Sequence, residues 1–350
     1  MTAAQDAATW GQADASGPSS ERHEAREGVL SLGSMSLHFG GSLETVKLAW
    51  RAAGPSDAPT IVALGGISAG RYVTSDATRK GWWSEIVSPS GPLDSSRYRI
   101  IGMDFLGGSG ETTGPAAGQV DFPAISAYDQ AYILNLLLQQ LGISRVVAIV
   151  GASYGGMVAL AFAERFPSHV DRVVSISAAD RSHPMSTAWR SVQRAIVRYA
   201  LSKNDGAEGL RLARALAMAT YRSPQEFAQR FAGEPTPQGV RYAFPVEKYL
   251  LARGDAYANS YRPEAFVCLS ESIDLHAVNA SAIKVPTTLI AVREDQLVPI
   301  ADMRSLSERL GGPRSLFEIS SLYGHDAFLK ETDALRAIFT QVFNTSGDQR

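Results

Sequence analysis

One five-residue segment, residues 151–155, restricts the possible folds of this 350-residue chain more than any other feature. Its sequence, G-A-S-Y-G, fits the pattern G-x-S-x-G, and Gly156 extends the run of glycines. An uncharged, apolar run precedes it at 146–150, and a helical pattern follows at 157–166. A serine held by glycines between a buried strand and a helix is typical of a sharp turn that exposes a nucleophile. The segment therefore predicts an enzyme whose nucleophile is Ser153.

Other apolar runs of four to eight residues predict a mostly parallel sheet. They are rich in β-branched residues and nearly continuous, which is typical of strands that helices cover on both faces. These runs lie at 60–64, 98–105, 146–150, 173–176, 287–292 and 315–319. Two alternating runs before them, 29–39 and 43–52, predict a pair of antiparallel strands. Helical patterns between the runs, such as 129–141 and 301–310, complete a doubly wound α/β fold.

A purely helical region interrupts this alternation and predicts a separate layer over the sheet. Helical patterns lie at 185–201, 207–219, 224–231 and 245–257, with no strand pattern among them. We therefore assign 179–263 to a helical cap on the carboxyl edge of the sheet, where folds of this class keep their sites. Residues 29–178 and 264–350 are expected to form the α/β core. Residues 1–28, rich in Ala, Ser, Gly and charge, are expected to be a disordered tail.

Composition and charge exclude several functional classes. Charged residues make up 19% of the chain and the net charge is −2, without a basic run, so we expect no nucleic-acid partner. The single cysteine, Cys268, cannot form an intrachain disulfide or a Cys-based zinc site, and its apolar neighbours predict a buried, inert thiol.

The uncharged stretch 146–163 has glycines at its centre, so we interpret it as a buried strand and helix and not as a membrane span. We expect no metal, no permanently bound cofactor and no membrane contact. Since 1–28 lacks an apolar signal segment, we also expect a cytoplasmic location.

A serine hydroxyl needs a general base that a third group holds in place, and two later loops supply candidates. Where a serine occupies such a turn, the acid and then the histidine follow it along the chain. Asp295 follows the predicted strand 287–292, and His325 follows the predicted strand 315–319. We predict His325 as the base of Ser153 and Asp295 as the acid that orients it. Glu294 is the alternative acid.

The oxyanion that forms when a serine attacks an acyl group needs two backbone N–H donors. One is expected from Tyr154, the residue after the nucleophile. The other is expected from the glycine-rich loop that follows the strand 60–64, at Ile67, with Gly66 as the alternative. These positions predict acyl transfer through a covalent acyl-enzyme on the serine.

Several short motifs outside the 151–155 segment are specific to one family. They are G-W-W at 81–83, L-G-G-S-G-E-T-T-G-P at 106–115, G-G-M at 155–157, V-Q-R at 192–194, T-Y-R-S at 220–223, R-F at 230–231, V-E-K-Y-L at 246–250 and G-H-D-A-F-L at 324–329. From about residue 29 to 343 the chain resembles the homoserine O-acyltransferases of methionine biosynthesis that have the α/β-hydrolase fold. A plain esterase has no reason to share the motifs in the cap.

The resemblance implies a fold, a reaction and a set of substrate contacts. It implies an α/β-hydrolase fold with an inserted helical cap, and it matches the three predicted residues to the family's catalytic triad. By position, Arg222 is expected to bind the carboxylate of an amino acid substrate and Asp326 its ammonium group. Tyr221, in the same motif as Arg222, is expected to contact the substrate too. The implied reaction transfers an acyl group from acyl-CoA, a co-substrate, to the hydroxyl of homoserine in two steps.

The chain departs from the family pattern near the expected acyl path. Asp104 stands where the family usually has Asn, Ser109 where it usually has Cys, and the loop 65–73 carries Arg71. We expect Arg71 to pair with the extra carboxylate of succinyl-CoA, which favours a homoserine O-succinyltransferase. Acetyl-CoA as donor and L-serine as acceptor stay open, as do a carboxylester or thioester hydrolase and a binding protein without catalysis. The resemblance also suggests a homodimer, because exposed cap helices pair subunits in similar proteins.

Overall fold

A computed structural model of the chain describes residues 25–344. The expected tail, 1–28, lies outside the described residues except at its end, where the first strand already begins at Arg26. The strand starts earlier than predicted because Arg26 pairs with Ala52 of the neighbouring strand. A sequence pattern does not reveal such pairing, since these first residues of the strand are mostly exposed and polar.

The predicted strands are all present, several with bounds shifted by a few residues. The strands are β1 (Arg26–Ser36), β2 (Ser42–Ala53), β3 (Thr60–Leu64), β4 (Val87–Ser88), β5 (Leu93–Asp94), β6 (Arg99–Met103), β7 (Ala148–Ala152), β8 (Val173–Ile176), β9 (Thr236–Gln238), β10 (Arg241–Ala243), β11 (Thr287–Val292) and β12 (Arg314–Ile319). The helices are α1 (Ala127–Gln140), α2 (Tyr154–Arg165), α3 (Pro184–Leu201), α4 (Gly206–Tyr221), α5 (Pro224–Arg230), α6 (Pro245–Ala258), α7 (Pro263–Asp274), α8 (Ile300–Arg309) and α9 (Thr332–Asn344).

The main sheet has the strand order β1-β2-β6-β3-β7-β8-β11-β12. The β1–β2 and β2–β6 pairs are antiparallel, and every later pair is parallel. All residues of β3, β7 and β8 are buried, which explains their continuous apolar sequence, whereas β1 alternates between exposed and half-buried positions over much of its length. The expected doubly wound, mostly parallel α/β sheet is confirmed.

Apolar cores lie on both faces of this sheet. Adjacent residues of β3 belong to different cores, as the alternation of a strand requires: Val62 belongs to the cluster that includes Leu160 of α2, and Ile61 to the cluster that includes Phe339 of α9. Because these strands are parallel, their carboxyl ends meet at one edge of the sheet, between the two apolar cores. Loops that follow β3, β7, β8, β11 and β12 all start at this edge.

A helical insertion separates β8 from β11, which are parallel neighbours in the sheet. Within it, α4 packs against α3 and α6. We expected residues from 264 onward to belong to the α/β core, but α7 packs against α3 and α4 as well. It also contacts the core, where the hydroxyls of Ser272 and Tyr154 are hydrogen-bonded at 2.6 Å. The insertion also contains the hairpin β9–β10, which we did not predict because its short, largely exposed strands have no apolar pattern.

The fold explains the uncharged stretch 146–163 and the single cysteine. The uncharged stretch 146–163 divides into β7 and α2, both almost completely buried. Across residues 25–344, no helix combines the length and the apolar character that crossing a membrane requires. Cys268 is buried in α7, and burial raises the pKa of its thiol to about 12, as an inert thiol requires.

Candidate active site

The turn between β7 and α2 holds Ser153 in a backbone conformation that few residues other than glycine adopt. Its φ is 54° and its ψ is −122°. The neighbouring glycines permit this turn: a Cβ on Gly151 would lie 2.1 Å from the carbonyl oxygen of Gly155, and one on Gly155 would lie 2.4 Å from the Leu64 backbone. The G-x-S-x-G sequence is therefore a steric requirement of the turn, which fixes the serine at the edge of the sheet.

The three residues predicted as a triad form one hydrogen-bonded chain. His325 Nε2 lies 2.8 Å from Ser153 Oγ, and His325 Nδ1 lies 2.7 Å from Asp295 Oδ2. Because a carboxylate only accepts, Nδ1 carries the proton and Nε2 is left to accept from the serine hydroxyl. The other carboxylate oxygen, Oδ1, accepts from the backbone N–H groups of Leu297 (2.8 Å) and Val298 (3.0 Å). The loop after β11 thus orients the acid, and the acid orients the base.

Glu294, the alternative acid, lies outside this chain of hydrogen bonds. Its carboxylate accepts from the Ser320 hydroxyl and, at 2.7 Å, from the backbone N–H of Ser321. These bonds connect the β11 loop to the β12 loop and leave Asp295 as the acid in contact with His325.

The environment of His325 favours proton uptake. Burial of the ring lowers the pKa of His325, but the charge and hydrogen bond of Asp295, together with the charge of Asp326, raise it, so the pKa of His325 is raised overall. A base with a raised pKa takes a proton from the serine hydroxyl more readily. Asp295 therefore stabilises the imidazolium that forms when the serine attacks.

Two backbone amides are in place for an oxyanion. Tyr154 is the first residue of α2, and Ile67 lies in the loop after β3. Among the hydrogen bonds of residues 25–344, neither N–H group donates to a protein acceptor. Of the two loop candidates, Ile67 lines the same cavity as Ser153, whereas Gly66 does not. The structure therefore favours Ile67 over Gly66 as the second donor.

A cavity between sheet and cap contains the serine. Ser153 and His325 line it from the core side, and Gln193 of α3, Tyr221 at the end of α4 and Phe266 of α7 line it from the insertion. The cap thus closes over the nucleophile, which limits the access of water to any group bound to Ser153.

The residues predicted to bind an amino acid are adjacent to this cavity and pair with each other. Arg222 Nε lies 3.0 Å from Asp326 Oδ2, and the two side chains are 12% and 14% exposed. Neither side chain lines the cavity, but Tyr221 does, with its ring centroid 5.8 Å from that of His325. A Cβ on Gly324 would lie 2.8 Å from the Tyr221 carbonyl oxygen, so the glycine of G-H-D lets the cap segment approach the histidine turn.

The prediction for Arg71 is wrong. Its guanidinium pairs with Asp104 (Nη1–Oδ2, 2.5 Å) and with Glu111 (Nη2–Oε1, 2.8 Å), and its N–H donates to Asp104 Oδ1 at 2.8 Å. Arg71 lines a separate polar cavity that does not contain Ser153. Because Arg71 is already paired and lies outside the cavity of Ser153, we do not assign it to the acyl group. The simultaneous departure of Asp104 from the usual Asn was the signal that Arg71 has an internal partner.

Several residues that the sequence analysis did not name also line the cavity of Ser153. Arg190 of α3 and Ser177, which directly follows β8, both contribute to its wall. Ser177 could have been found from its position, because it follows a parallel strand at the edge where the other site residues lie. Arg190 could not, because its location depends on how the cap helix packs over the sheet.

Comparisons with known proteins place the chain in a family. Residues 59–332 match the family model of the alpha/beta hydrolase fold. A homoserine O-succinyltransferase of Xanthomonas campestris is 41% identical over 307 residues, covering 87% of this chain and 80% of that protein. A serine O-succinyltransferase of Litchfieldella anticariensis is 30% identical, with coverage of 89% and 96%.

A solved structure shows the same fold at lower identity. The homoserine O-acetyltransferase of Bacillus anthracis superposes with a TM-score of 0.82 at 18% identity, covering 91% of this chain and 97% of the other. The likeness to that structure supports the fold, and the 41% identity supports the closer relationship. The protein therefore belongs to the α/β-hydrolase fold and, within it, to the homoserine O-acyltransferase family.

Proposed function

We propose that the protein is a homoserine O-succinyltransferase that uses succinyl-CoA and passes through a succinyl-enzyme on Ser153. The observation that carries the acyl-transfer chemistry is the Ser153–His325–Asp295 hydrogen-bonded chain beside two backbone amides that have no partner within residues 25–344. The 41% identity to a homoserine O-succinyltransferase supports the choice of acyl group and acceptor.

In the first half-reaction, the Ser153 hydroxyl attacks the thioester carbonyl and passes its proton to Nε2 of His325. The carbonyl oxygen becomes an oxyanion, which the N–H groups of Tyr154 and Ile67 stabilise. The oxyanion then collapses, the C–S bond breaks, and His325 returns the proton to the departing thiolate of CoA. Ser153 is left as an ester, and the Asp295 carboxylate holds the ring of His325 in one orientation throughout.

In the second half-reaction, the homoserine hydroxyl gives its proton to His325 Nε2 and attacks the ester on Ser153. The same amides stabilise the second oxyanion, and the proton returns to Ser153 Oγ as O-acylhomoserine leaves. Water would compete as an acceptor, so the cap matters here: the cavity walls contributed by α3, α4 and α7 restrict its entry.

Arg222 and Asp326 suit the amino acid group of the acceptor. A zwitterion can replace their mutual ion pair with two new ones, carboxylate to guanidinium and ammonium to carboxylate. Gln296, the neighbour of Asp295, donates to the Arg222 carbonyl at 2.8 Å and so fixes this segment beside the triad. Tyr221 precedes Arg222 in the chain, lines the cavity, and lies with its ring beside that of His325, so it connects the Arg222–Asp326 pair to the base.

Arg222→Ala and Asp326→Asn are expected to slow transfer to homoserine by on the order of 10²-fold, because each leaves a charge of the acceptor unpaired in a half-buried place. Formation of the acyl-enzyme from succinyl-CoA is expected to change far less. Rapid-quench measurement of the two half-reactions checks this. Arg230→Gln is the matched control, since Arg230 shares Glu226 with Arg222 but is half-exposed. Equal losses in both half-reactions would assign the pair to the fold or the donor.

Steady-state release of the CoA thiol tests the proposed substrates. Succinyl-CoA and acetyl-CoA are each combined with homoserine, with L-serine or with no acceptor. We expect the highest kcat/KM with succinyl-CoA and homoserine, and little release without an acceptor. Release that does not depend on an acceptor would make the protein a thioester hydrolase. A preference for acetyl-CoA or for serine would replace the donor or the acceptor and leave the covalent mechanism in place.

An exposed apolar stripe on one face of α3 favours a homodimer. Met185, Val192 and Tyr199 recur every seven residues, so they share one face of the helix, and all three are exposed. Apolar residues in such a stripe are typical of a surface that another helix covers. We propose that α3 of a second copy covers it. The molar mass in solution, measured by light scattering, is expected to be that of two chains, and the mass of one chain would contradict the proposal.

A further inference from the structure

A cluster of charges on α3 and α7 has one cation more than it has anions. Arg190 Nε donates to Asp274 Oδ1 at 2.8 Å, and Arg194 Nη1 donates to Asp274 Oδ2 at 2.5 Å. Two guanidinium groups therefore share a single carboxylate. Arg190, Arg194 and Asp274 are all about nine-tenths buried, so solvent screens the excess positive charge poorly.

No other acid completes the pairing among residues 25–344. Asp180, the next carboxylate along the wall, already pairs with Arg309 at 2.8 Å and with Arg181 at 3.2 Å. Asp302 lines the cavity as well, and its charge acts on Arg309. Positive charge therefore remains in excess on this side of the cavity that contains Ser153.

Arg190 has donor capacity left over. Its Nε and Nη2 are taken by Asp274 and by the hydroxyl of Ser182, while Nη1 has no partner within the described part of the chain. The positive charge of Arg190 also acts on the catalytic base, since it lowers the pKa of His325. Arg190 thus lines the cavity of the nucleophile with a free N–H group and an incompletely neutralised charge.

Ser177 adds a second donor to the same wall. It is 1% exposed, and its Oγ has no hydrogen-bond partner among the described residues. Its φ of 48° is unusual for a residue other than glycine. A buried hydroxyl without a partner costs free energy unless a ligand supplies one. Ser177, like Arg190, lines the cavity of Ser153.

We propose that Arg190 and Ser177 form a subsite that binds the distal carboxylate of the acyl group, and so select succinyl over uncharged acyl chains. The inference rests on the proposed acyl transfer through Ser153 and adds the residues that recognise the acyl group. A carboxylate entering a poorly hydrated cavity needs a cation and hydrogen-bond donors, and Arg190 and Ser177 supply both. The subsite takes the place that the sequence had suggested for Arg71.

The decisive comparison is between succinyl-CoA and butyryl-CoA, which have acyl chains of the same length but differ in the terminal carboxylate. Arg190→Gln is expected to lower the single-turnover rate of acyl-enzyme formation from succinyl-CoA by about 10- to 100-fold, the effect of one charge-assisted contact. The rate from butyryl-CoA is expected to stay the same or rise. Ser177→Ala is expected to reduce only the succinyl rate, by about 3- to 10-fold, the loss of one neutral hydrogen bond.

Two further variants separate recognition from packing, because Arg190 also anchors α3 to α7. Arg190→Lys keeps the charge and is expected to restore part of the preference for succinyl-CoA. Arg198→Gln, on the same helix but outside the cavity and paired with Glu271, is expected to leave both rates unchanged.

Three results would overturn the subsite. They are equal losses with both thioesters in Arg190→Gln, a raised KM for homoserine with unchanged acylation, and a wild-type enzyme that acylates from butyryl-CoA but not from succinyl-CoA. In the last case acyl transfer through Ser153 would stand. If the wild type forms no acyl-enzyme from any thioester, the proposed function itself fails and the subsite fails with it.

Discussion

Ser153→Ala is expected to lower acyl transfer from succinyl-CoA to homoserine by on the order of 10⁴-fold or more, as for other serine nucleophiles in triads. The variant removes the hydroxyl oxygen that lies 2.8 Å from His325 Nε2, which is also the atom that would carry the acyl group. The measurement is kcat/KM for thiol release in the presence of homoserine. The small rate that remains would come from the binding of both substrates beside the backbone N–H groups of Tyr154 and Ile67.

The fold is expected to survive this substitution, which keeps the result interpretable. Alanine keeps the Cβ of serine, so the strain of the positive φ is unchanged, and the Ser153 N–H still donates to Ile176. The thermal unfolding midpoint is expected to stay close to that of the wild type. Transfer at a rate near that of the wild type in a folded Ser153→Ala protein would exclude the covalent mechanism.

Asp295→Asn is expected to reduce acyl transfer by on the order of 10³-fold through the tautomer of the base. The N–H groups of Leu297 and Val298 both donate to Oδ1, so the amide oxygen must stay with them. The amide NH₂ group then faces Nδ1 of His325 and requires that nitrogen to accept. Nε2 must carry the ring proton, and it can no longer accept from Ser153.

The pH dependence of Asp295→Asn distinguishes this effect from a simple loss of packing. In the wild type Asp295 raises the pKa of His325, so activity falls on the acid side at a pH above the usual histidine value of about 6.5. Without the Asp295 carboxylate, burial and the charge of Arg190 lower the pKa of His325 while the charge of Asp326 raises it, and the acid limb is expected to move to lower pH. Glu294→Gln is the matched control because Glu294 lies next in sequence but binds Ser321. An acid limb that does not move would show that Asp295 acts on something other than His325.

Much of the fold and the three triad positions could be predicted because the physical cause is local. The bounds of β3, β8 and β11 agree with the predicted runs, since a strand buried on both faces must be apolar throughout and ends where polar loop residues begin. Ser153 followed from a turn that only glycines permit. Asp295 and His325 followed from the edge at which parallel strands end.

The features that could not be predicted depend on contacts between distant segments. Arg71 pairs with Asp104, 33 residues later, and no periodic pattern shows which charges meet; the departure from the usual Asn at Asp104 was the one sign of this pair. Arg190 reaches the cavity only because α3 docks on α7 through Asp274. We assigned α7 to the α/β core alone, although it also packs against the cap helices. A helix that contacts two layers has the same apolar pattern as one that contacts a single layer, so the sequence does not distinguish them.

Mass spectrometry of the enzyme after rapid mixing with succinyl-CoA alone tests the central claim most directly. The account predicts one succinyl group on the peptide that contains Ser153, released as O-succinylhomoserine when homoserine is added. Transfer to homoserine with no acylated enzyme at any quench time, or with the acyl group on another residue, would contradict it.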